Sequence, residues 1–278
     1  MPAAKQDSLA AKRKYHHGDL RRALLEAAWH LVAEKGLAAL TLREVARTAG
    51  VTHAAPYHHF PTRTALLDAL AEEGFTGLDR AMGEAKAACA AGGPSAEPPI
   101  PGAGDPVASP ADLGEASPPV DGAEVLYRIG RAYVDFACAH PEQLQVMFRP
   151  RHHESEGPPP PALAEIGAQA FAHLNEAVRT CQAQGLAPPG DCAELALSAW
   201  SLVHGFATLW CQGQLGALIA DGDSFASGDT FAAGEAFAAG EAFAQQRDRL
   251  LRNLQAGWQA TAAAPGAQTA GACAASTV

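Results

Sequence analysis

The stretch TLREVARTAGVTHAAPYHHFPTRTALL, residues 41–67, predicts two short helices joined by a tight turn and followed by the start of a third helix. Thr41 and Glu44 have the T-x-x-E spacing of a capping box, in which each side chain bonds a backbone N–H, so the first helix should begin at Leu42. Gly50 supplies the left-handed residue that ends this helix. Its apolar residues recur at the i, i+3, i+4, i+7 spacing of one buried face: Leu42, Val45, Ala46 and Ala49.

The second short helix is predicted to be capped by Thr52. Pro56 falls in its first turn, where the missing N–H forfeits at most one intrahelical bond. Its exposed positions lie where a recognition helix would meet base edges in a major groove, and they are His53, Ala54, Tyr57 and His58. The pattern therefore predicts a helix-turn-helix that reads double-stranded DNA.

The run Tyr57-His58-His59-Phe60, followed by Thr62-Arg63-x-x-Leu66-Leu67, resembles the hallmark of the DNA-binding domain of the tetracycline-repressor (TetR) family of bacterial regulators. Pro56 departs from the leucine that is usual there. The resemblance covers about residues 15–80 and implies that one of His58 and His59 contacts DNA while the other packs near Phe60. It includes a preceding helix, Leu20 to Lys35, which ends at Gly36 and has the core stripe Leu20, Leu24, Ala27, Ala28 and Leu31.

Charge is distributed unevenly along the 278 residues. Residues 1–63 carry a formal charge of +5 and residues 64–278 one of −15, which gives the net charge of −10. A basic amino end on an acidic chain is typical of a protein in which one domain contacts phosphate. The DNA contacts predicted from this distribution, the motif and the resemblance are Lys12, Arg13, Lys14, Thr41, Arg43, Thr52, His53, Ala54, Tyr57, His58 and Arg63.

The chain shows neither a signal-peptide pattern nor eighteen uninterrupted apolar residues, so we expect a cytoplasmic protein with no membrane partner. Six cysteines occur without a C-x-x-C pair, which argues against a zinc site and, in a reducing compartment, against structural disulfides. A redox-sensing pair is the less favoured alternative. The adjacent histidine pairs lack the i, i+4 spacing of chelating helical residues, so no metal and no cofactor are predicted. The cysteines are Cys89, Cys138, Cys181, Cys192, Cys211 and Cys273.

Helical periodicity continues beyond the motif and predicts an all-α chain, with an N-terminal three-helix DNA-binding domain and a C-terminal helical regulatory and dimerisation domain. The predicted organisation is a basic arm at 1–14, the helix-turn-helix domain at 15–62, a connecting helix at 63–90, a disordered Pro/Gly-rich loop at 91–122, a ligand-binding and dimerisation domain at 123–260 and a disordered tail at 261–278.

Within the C-terminal domain, helices are predicted at 123–149 with a break at His140-Pro141, at about 162–184, at about 192–212 behind an Asp191 cap, and at about 244–258. The last should carry Leu250, Leu251 and Leu254 inward. The repeat at 225–243, with Phe225, Phe231, Phe237 and Phe243 six apart, makes no continuous helical face and indicates repeat expansion in a loop. The 192–212 helix has the expected core residues Leu195, Trp200, Leu202, Val203, Phe206 and Trp210.

Tyr133-Val134-Asp135-Phe136-Ala137, with Trp200-x-x-Val203-His204-Gly205 further on, resembles a subgroup of TetR C-terminal domains that is named for its Trp-His-Gly motif. His204 is read equally well as a hydrogen-bonded core histidine or as the polar anchor of a ligand pocket. A pocket for a small, mostly apolar effector is predicted among Tyr133, Phe136, Met147, Phe148, Trp200, His204 and Trp210.

These observations predict a DNA-binding regulator, by default a ligand-released repressor that binds a palindromic operator as a homodimer. As in the resembled family, the dimer would form through the helices at about 192–212 and 244–258. No nucleophile elbow or phosphate loop is present, and a Cys211/His204 nucleophile has no evident activating pocket, so no enzyme is predicted. The alternative is an architectural DNA-binding or adaptor protein without an effector.

Overall fold

A computed structural model of the chain describes residues 17–91, 121–151, 156–215 and 241–264. Every regular element in these ranges is helical, which confirms the predicted all-α class. The eight α-helices are α1 (His17–Lys35), α2 (Leu42–Thr48), α3 (Arg63–Ala90), α4 (Gly122–Ala139), α5 (Pro141–Met147), α6 (Pro161–Ala183), α7 (Cys192–Cys211) and α8 (Glu241–Ala262).

The described residues form two compact units. The head unit consists of the chain up to Gly74 together with Glu142–Leu163, and the second unit consists of Phe75–Pro141 and the chain from Ala164 onward. This division differs from the predicted domains, because α3 contributes to both units and most of α5 belongs to the head unit. The predicted arm at 1–14 and nearly all of the loop at 91–122 lie outside the described residues. Two residues given to that loop, Asp121 and Gly122, cap and begin α4.

In the head unit, α2 begins at the predicted Leu42, whereas α1 begins at His17, before the predicted Leu20. Thr41 Oγ1 accepts a hydrogen bond from the N–H of Glu44 at 3.2 Å, so this half of the predicted capping box is confirmed. The Glu44 carboxylate instead accepts from Arg47 at 2.8 Å. Gly50 has the predicted left-handed conformation, with φ of 68°, and Gly36, where α1 was predicted to end, has φ of 76°. The core contains Leu24, Ala27, Ala28, Leu31, Leu42, Val45 and Ala46, as predicted, whereas Leu20 and Ala49 are half-buried.

The second short helix of the motif differs from its prediction. It is a four-residue 3-10 helix, Ala55–His58, that follows Ala54 and has no side-chain cap, so the predicted Thr52 cap is wrong. Its backbone N–H groups bond three residues back, as in Ala55 to Thr52 at 3.0 Å and Tyr57 to Ala54 at 3.2 Å. Pro56 explains this, because it has no N–H to donate and disfavours the α conformation in the preceding residue. Its ring is buried.

The second unit is built from α4, α6, α7, α8 and the C-terminal part of α3. Asp191 Oδ1 accepts from the N–H of Ala193 at 2.7 Å, which confirms the predicted cap of α7. Gly185, with φ of 70°, follows α6 as predicted. The core of the unit includes Leu126, Ile129, Tyr133, Val134, Ala137, Val178, Ala196, Ala199, Val203 and Trp210.

Three leucines on the outer side of α7 are exposed. Leu202, predicted to be a core residue, is 38% exposed, and Leu197 and Leu209 are 53% and 40% exposed. Leu195, Trp200 and Phe206 are half-buried. The exposed polar residues of α7, Glu194, Ser198 and Ser201, mark its outer side only weakly among so many apolar residues, which is why periodicity assigned Leu202 wrongly. By length and composition α7 could also cross a membrane, although the core helix of a soluble protein passes the same test.

The last helix begins earlier than predicted and includes Phe243, the final phenylalanine of the repeat. Phe243 is 5% exposed, and its ring lies 4.7 Å from that of Trp210. The interpretation of the repeat as a loop is therefore wrong at this residue, because a large apolar neighbour on α7 buries it. The rest of the repeat lies outside the described residues. Leu251 is buried, as predicted, while Leu250 and Leu254 are half-buried.

Candidate nucleic-acid interface and effector site

The residues predicted to contact base edges share one exposed segment of the head unit. Thr52, His53, Ala54, Tyr57 and His58 are all exposed, and Tyr57 is 56% exposed. The turn after α2 and the short 3-10 helix present them, while the buried Pro56 and Phe60 anchor the segment from beneath. Exposed hydroxyl, imidazole and phenol groups on a fixed backbone can donate to and accept from base edges and phosphates.

The two histidines of this segment have different environments. His58 is exposed. His59 is half-buried, its ring centroid lies 6.4 Å from that of Phe60, and its Nε2 is a buried atom with no hydrogen-bond partner among the described residues. This arrangement agrees with the implication that one histidine packs near Phe60.

The arginines predicted to contact phosphate differ in what they already bind. Arg43 is exposed on α2. Arg63 is also exposed, but its Nε donates to the carbonyl of Leu40 at 2.7 Å and its Nη2 to that of Leu37 at 2.8 Å. Arg63 therefore joins the start of α3 to the segment between α1 and α2, a role that the sequence motif did not predict. The arm residues Lys12, Arg13 and Lys14 lie outside the described residues.

A buried cluster of charges holds the segment after α5 against α3 within the head unit. Asp68, 7% exposed, accepts from Arg149 Nη2 at 3.0 Å and from Arg151 Nη1. Arg149 Nη1 also donates to Glu156 Oε2 at 2.7 Å. Next to this cluster, a C-β at Gly74 would come within 2.7 Å of the Met147 side chain. These contacts place α5 and the segment that follows in the head unit.

In the second unit, the structure brings together three of the seven predicted pocket residues. Tyr133 OH lies 2.7 Å from Nδ1 of His204, and the ring of Trp200 stacks on that of His204 at 4.9 Å. The Trp200 side chain also hydrogen-bonds to Tyr133, and since indole only donates, it bonds the phenol oxygen. The Tyr133 hydroxyl can then donate to a neutral His204.

Burial sets the protonation of this group. It lowers the pKa of His204, which favours the neutral imidazole. Burial also raises the pKa of Tyr133, which keeps the phenol protonated. The hydrogen bond from Trp200 lowers this pKa by a smaller amount. Tyr133, His204 and Trp200 therefore form an uncharged polar group between α4 and α7.

The other four predicted pocket residues are arranged differently. Trp210 packs against Phe206 and Phe243, and the ring of Phe136 lies 5.0 Å from that of His140. Met147 and Phe148 belong to the head unit. The sequence placed all seven side chains in one region because they are large and apolar, but this composition does not determine which helices pack together.

The second unit contains a cavity of about 20 Å³ between α4, α6, α7 and α8. That volume holds about one water molecule. None of the seven predicted residues lines it, although Ala199 and Val203 each precede one of them in sequence. The lining consists of Leu126, Tyr127, Gly130, Leu174, Ala199, Val203, Leu251, Leu254 and Gln255. Within the described ranges, no three His, Cys, Asp or Glu side chains are grouped so that they could hold a metal ion.

Comparison with known proteins agrees with this architecture. Residues 24–70 match the family model for bacterial regulatory proteins of the tetR family, and residues 126–228 match that for the tetracyclin repressor-like C-terminal domain. A search of curated proteins gives no match. Among solved structures, a protein with unknown function from Rhodococcus sp. RHA1 is 31% identical, with a TM-score of 0.56 over 88% of this chain and 100% of that one.

Two further solved structures share the fold at lower identity. FadR from Bacillus subtilis, in complex with stearoyl-CoA, is 13% identical, with a TM-score of 0.56 over 85% of this chain and 98% of that one. A bacterial regulatory protein in the tetR family from Rhodococcus RHA1 is 19% identical, with a TM-score of 0.51 over 84% of this chain and 96% of that one. The two family models together cover more than half of the chain. The protein, which has a helix-turn-helix head and a helical C-terminal unit, therefore belongs to the TetR family of transcriptional regulators.

Proposed function

We propose that this regulator is a cytoplasmic repressor that binds a palindromic operator as a homodimer and is released by a small, mostly apolar effector. We further place its C-terminal domain in the Trp-His-Gly subgroup and assign it no catalytic activity. The observation that carries the proposal is the combination of an exposed DNA-reading segment in the head unit with an uncharged Tyr133–His204–Trp200 group in the other unit. The competing proposal is that the protein has an architectural DNA-binding function.

We assign DNA affinity and DNA sequence preference to different residues. The proposed phosphate contacts come from the Lys12-Arg13-Lys14 arm, Thr41, Arg43, Tyr57 and Arg63. Bases would be read by Thr52, His53 and His58, with Ala54 available for apolar contact with a thymine methyl group. The exposure of the described members of this set supports the assignment. The Thr41 hydroxyl, which accepts a bond from Glu44, keeps its own hydrogen for a phosphate.

Arg43 gives the cleaner test of phosphate contact, because Arg63 has a structural role as well. Arg43→Ala should weaken binding to all DNA sequences alike and lower the slope of log K against log salt by about 0.9. Arg80→Ala, at an exposed arginine of α3 in the second unit, is the matched control and should leave the slope unchanged. His53→Ala should instead relax the preference at one base position. An unchanged slope for Arg43→Ala would remove this residue from the interface.

The exposed leucines of α7 support the proposed dimer. Leu202, Gly205 and Leu209 follow one another at helical spacing, and a C-β built at Gly205 would meet nothing within 4 Å. The protomer therefore does not itself use the space above this glycine, and a second helix could approach closely there. We infer that α7 of a second copy covers this face, around a two-fold axis.

Leu251, in the helix predicted to take part in the dimer, is not a suitable residue for testing the dimer. Leu251 is 3% exposed, and a C-β at Gly130 would approach its side chain to 2.7 Å, so substituting Leu251 would perturb the protomer core. Leu202→Glu should convert a dimer into a monomer in sedimentation at micromolar concentration, whereas Ala87→Glu on the exposed face of α3 should not. A parent protein that sediments as a monomer and binds a single half-site with full affinity would contradict the proposal.

The effector site is proposed around Tyr133, His204 and Trp200, with Phe136 and Trp210 on the same two helices. A cavity of about 20 Å³ is far smaller than typical ligand pockets of roughly 300–1,000 Å³. An effector that enters between α4 and α7 must therefore select a state in which these helices have moved apart. Release of DNA follows only if that state disfavours the DNA-binding arrangement of the heads.

The test is a titration of the operator complex with a panel of small apolar compounds and with stearoyl-CoA, the ligand of FadR. An effector should change tryptophan fluorescence and release DNA in the same concentration range. His204→Ala and Trp200→Ala should lose both responses and keep operator affinity. If both variants responded like the parent, the site would lie elsewhere, and if no compound released DNA, the architectural function would be favoured.

A further inference from the structure

Two cysteine side chains meet where α4 and α7 end. The Sγ atoms of Cys138 and Cys211 lie 3.8 Å apart, although 73 residues separate them in sequence. Both residues are half-buried. A disulfide requires an S–S distance of about 2.05 Å, so the sulfur atoms need to approach by roughly 2 Å, which is within the range of side-chain rotation. The DNA-binding function makes no use of this pair.

The surroundings keep the pair in its thiol form at neutral pH. Cys211 Sγ donates to the carbonyl of Ala137 at 3.5 Å as well as facing Cys138. The hydrogen bond with Cys211 and, to a smaller extent, burial raise the pKa of Cys138. Since the thiolate is the reactive form, these thiols should react slowly. A slowly oxidised dithiol responds to a sustained change in redox conditions better than to a brief pulse of oxidant.

We propose that Cys138 and Cys211 form a reversible disulfide and that this end of the α4–α7 pair is a site of oxidative modification. With a low-molecular-weight disulfide as the oxidant, one thiolate attacks it, forming a mixed disulfide and expelling a thiol. The second cysteine thiolate then attacks the cysteine sulfur of the mixed disulfide and displaces the remaining half of the oxidant. Two S–H bonds are lost, one S–S bond forms, and the oxidant takes up the two electrons and two protons as two thiols.

The location of the pair gives the disulfide a consequence for the rest of the unit. Cys211 lies seven residues after His204, two turns along the same face of α7, and it contributes to raising the pKa of Tyr133. The chain passes into the head unit at Glu142, soon after Cys138. A covalent link here would restrain any separation of α4 from α7. The coupling to effector release rests on the proposed function, whereas the disulfide itself does not.

The test equilibrates the full-length protein in glutathione buffers of increasing oxidised fraction, blocks free thiols with iodoacetamide and maps the peptides by mass spectrometry. We expect a linked Cys138–Cys211 peptide that dithiothreitol abolishes. Cys138→Ser and Cys211→Ser should lack it, and Cys89→Ser, at another half-buried cysteine of the same unit, should retain it. Closing a loop of 73 residues should also raise the Tm of the oxidised parent by roughly 5 °C or more.

The parent protein alone can overturn the proposal, so the test remains decisive even if a serine variant does not fold. Alkylation of both cysteines in the most oxidising buffer would refute it. A glutathione adduct that persists on either cysteine without closure would refute it as well, as would a disulfide that joins either one to another cysteine. A linked peptide in a protein that does not bind DNA would support the disulfide and contradict the proposed function. The failure of one proposal can therefore be told from the failure of the other.

Discussion

Replacing Tyr133 by phenylalanine isolates the hydrogen bonds at the centre of the proposed effector site. Tyr133 is 5% exposed, and phenylalanine keeps its ring in the core while removing only the hydroxyl. The substitution leaves His204 without its partner at 2.7 Å and Trp200 without the acceptor for its indole N–H. Any loss of stability therefore reports the polar group and not the packing.

The expected loss follows from the burial of the two groups left behind. An unsatisfied buried donor or acceptor costs about 1–3 kcal/mol. Both His204 and Trp200 are half-buried, so water can replace part of what each loses, and the hydroxyl no longer has to be desolvated. We expect Tyr133→Phe to lower the free energy of unfolding by about 1–3 kcal/mol in total, below the sum for two fully buried groups.

Urea unfolding followed by tryptophan fluorescence suits this measurement, because three of the four tryptophans, Trp200, Trp210 and Trp258, lie in the second unit. A double-mutant cycle with His204→Ala should give a coupling of at least about 0.5 kcal/mol. Tyr127→Phe, at a half-buried tyrosine of the same helix that bonds Asp248, should be additive with His204→Ala. A loss below about 0.5 kcal/mol with additivity in both cycles would refute the proposed hydrogen-bonded group.

Three further predictions concern the core, the head and pH. Phe243→Ala should lower the free energy of unfolding by about 3–5 kcal/mol in urea, because Phe243 fills space beside Trp210; a value under about 1 kcal/mol would place it outside the core. Asp68→Ala should cost about 3–5 kcal/mol by leaving Arg151 without its carboxylate partner and Arg149 with Glu156 alone, and faster hydrogen exchange at 156–163 should accompany the loss; unchanged exchange would argue against the cluster. Since burial lowers the pKa of His204, its contribution to stability is complete above the unfolded value of about 6.5 and is lost as pH falls through the folded pKa. The fall in Tm between pH 7.5 and 5.5 should thus be smaller in His204→Gln than in the parent, and an equal fall would contradict the lowered pKa.

The sequence predicted helix ends well where a local side chain or a glycine determines them. The Asp191 cap and the left-handed Gly50 were predicted, because each depends only on residues that are near one another in sequence. The 3-10 form of the recognition segment was missed. Pro56 was treated as tolerable in the first turn of an α-helix, but its effect on the residue before it decided the conformation.

Features that depend on distant parts of the chain could not be predicted from spacing. Asp68 and Arg151 are 83 positions apart, and Tyr133 and His204 are 71 apart, so nothing local indicates that they meet. Leu202 was misassigned because the few exposed polar residues of α7 mark its outer side only weakly. The sequence named Tyr133, His204 and Trp200, which the structure brings together, but it named none of the side chains that line the small cavity.

The central claim is that the exposed segment from Thr52 to His58 reads an operator on behalf of a symmetric dimer. The most direct measurement is a footprint of the protein on the DNA upstream of its own gene and of the neighbouring genes, at a stated salt concentration. A symmetric dimer should protect one stretch of DNA that contains two inverted half-sites, whose centres lie about one helical turn, or a multiple of it, apart. Protection without inverted symmetry, or equal protection of unrelated DNA at the same salt, would contradict it.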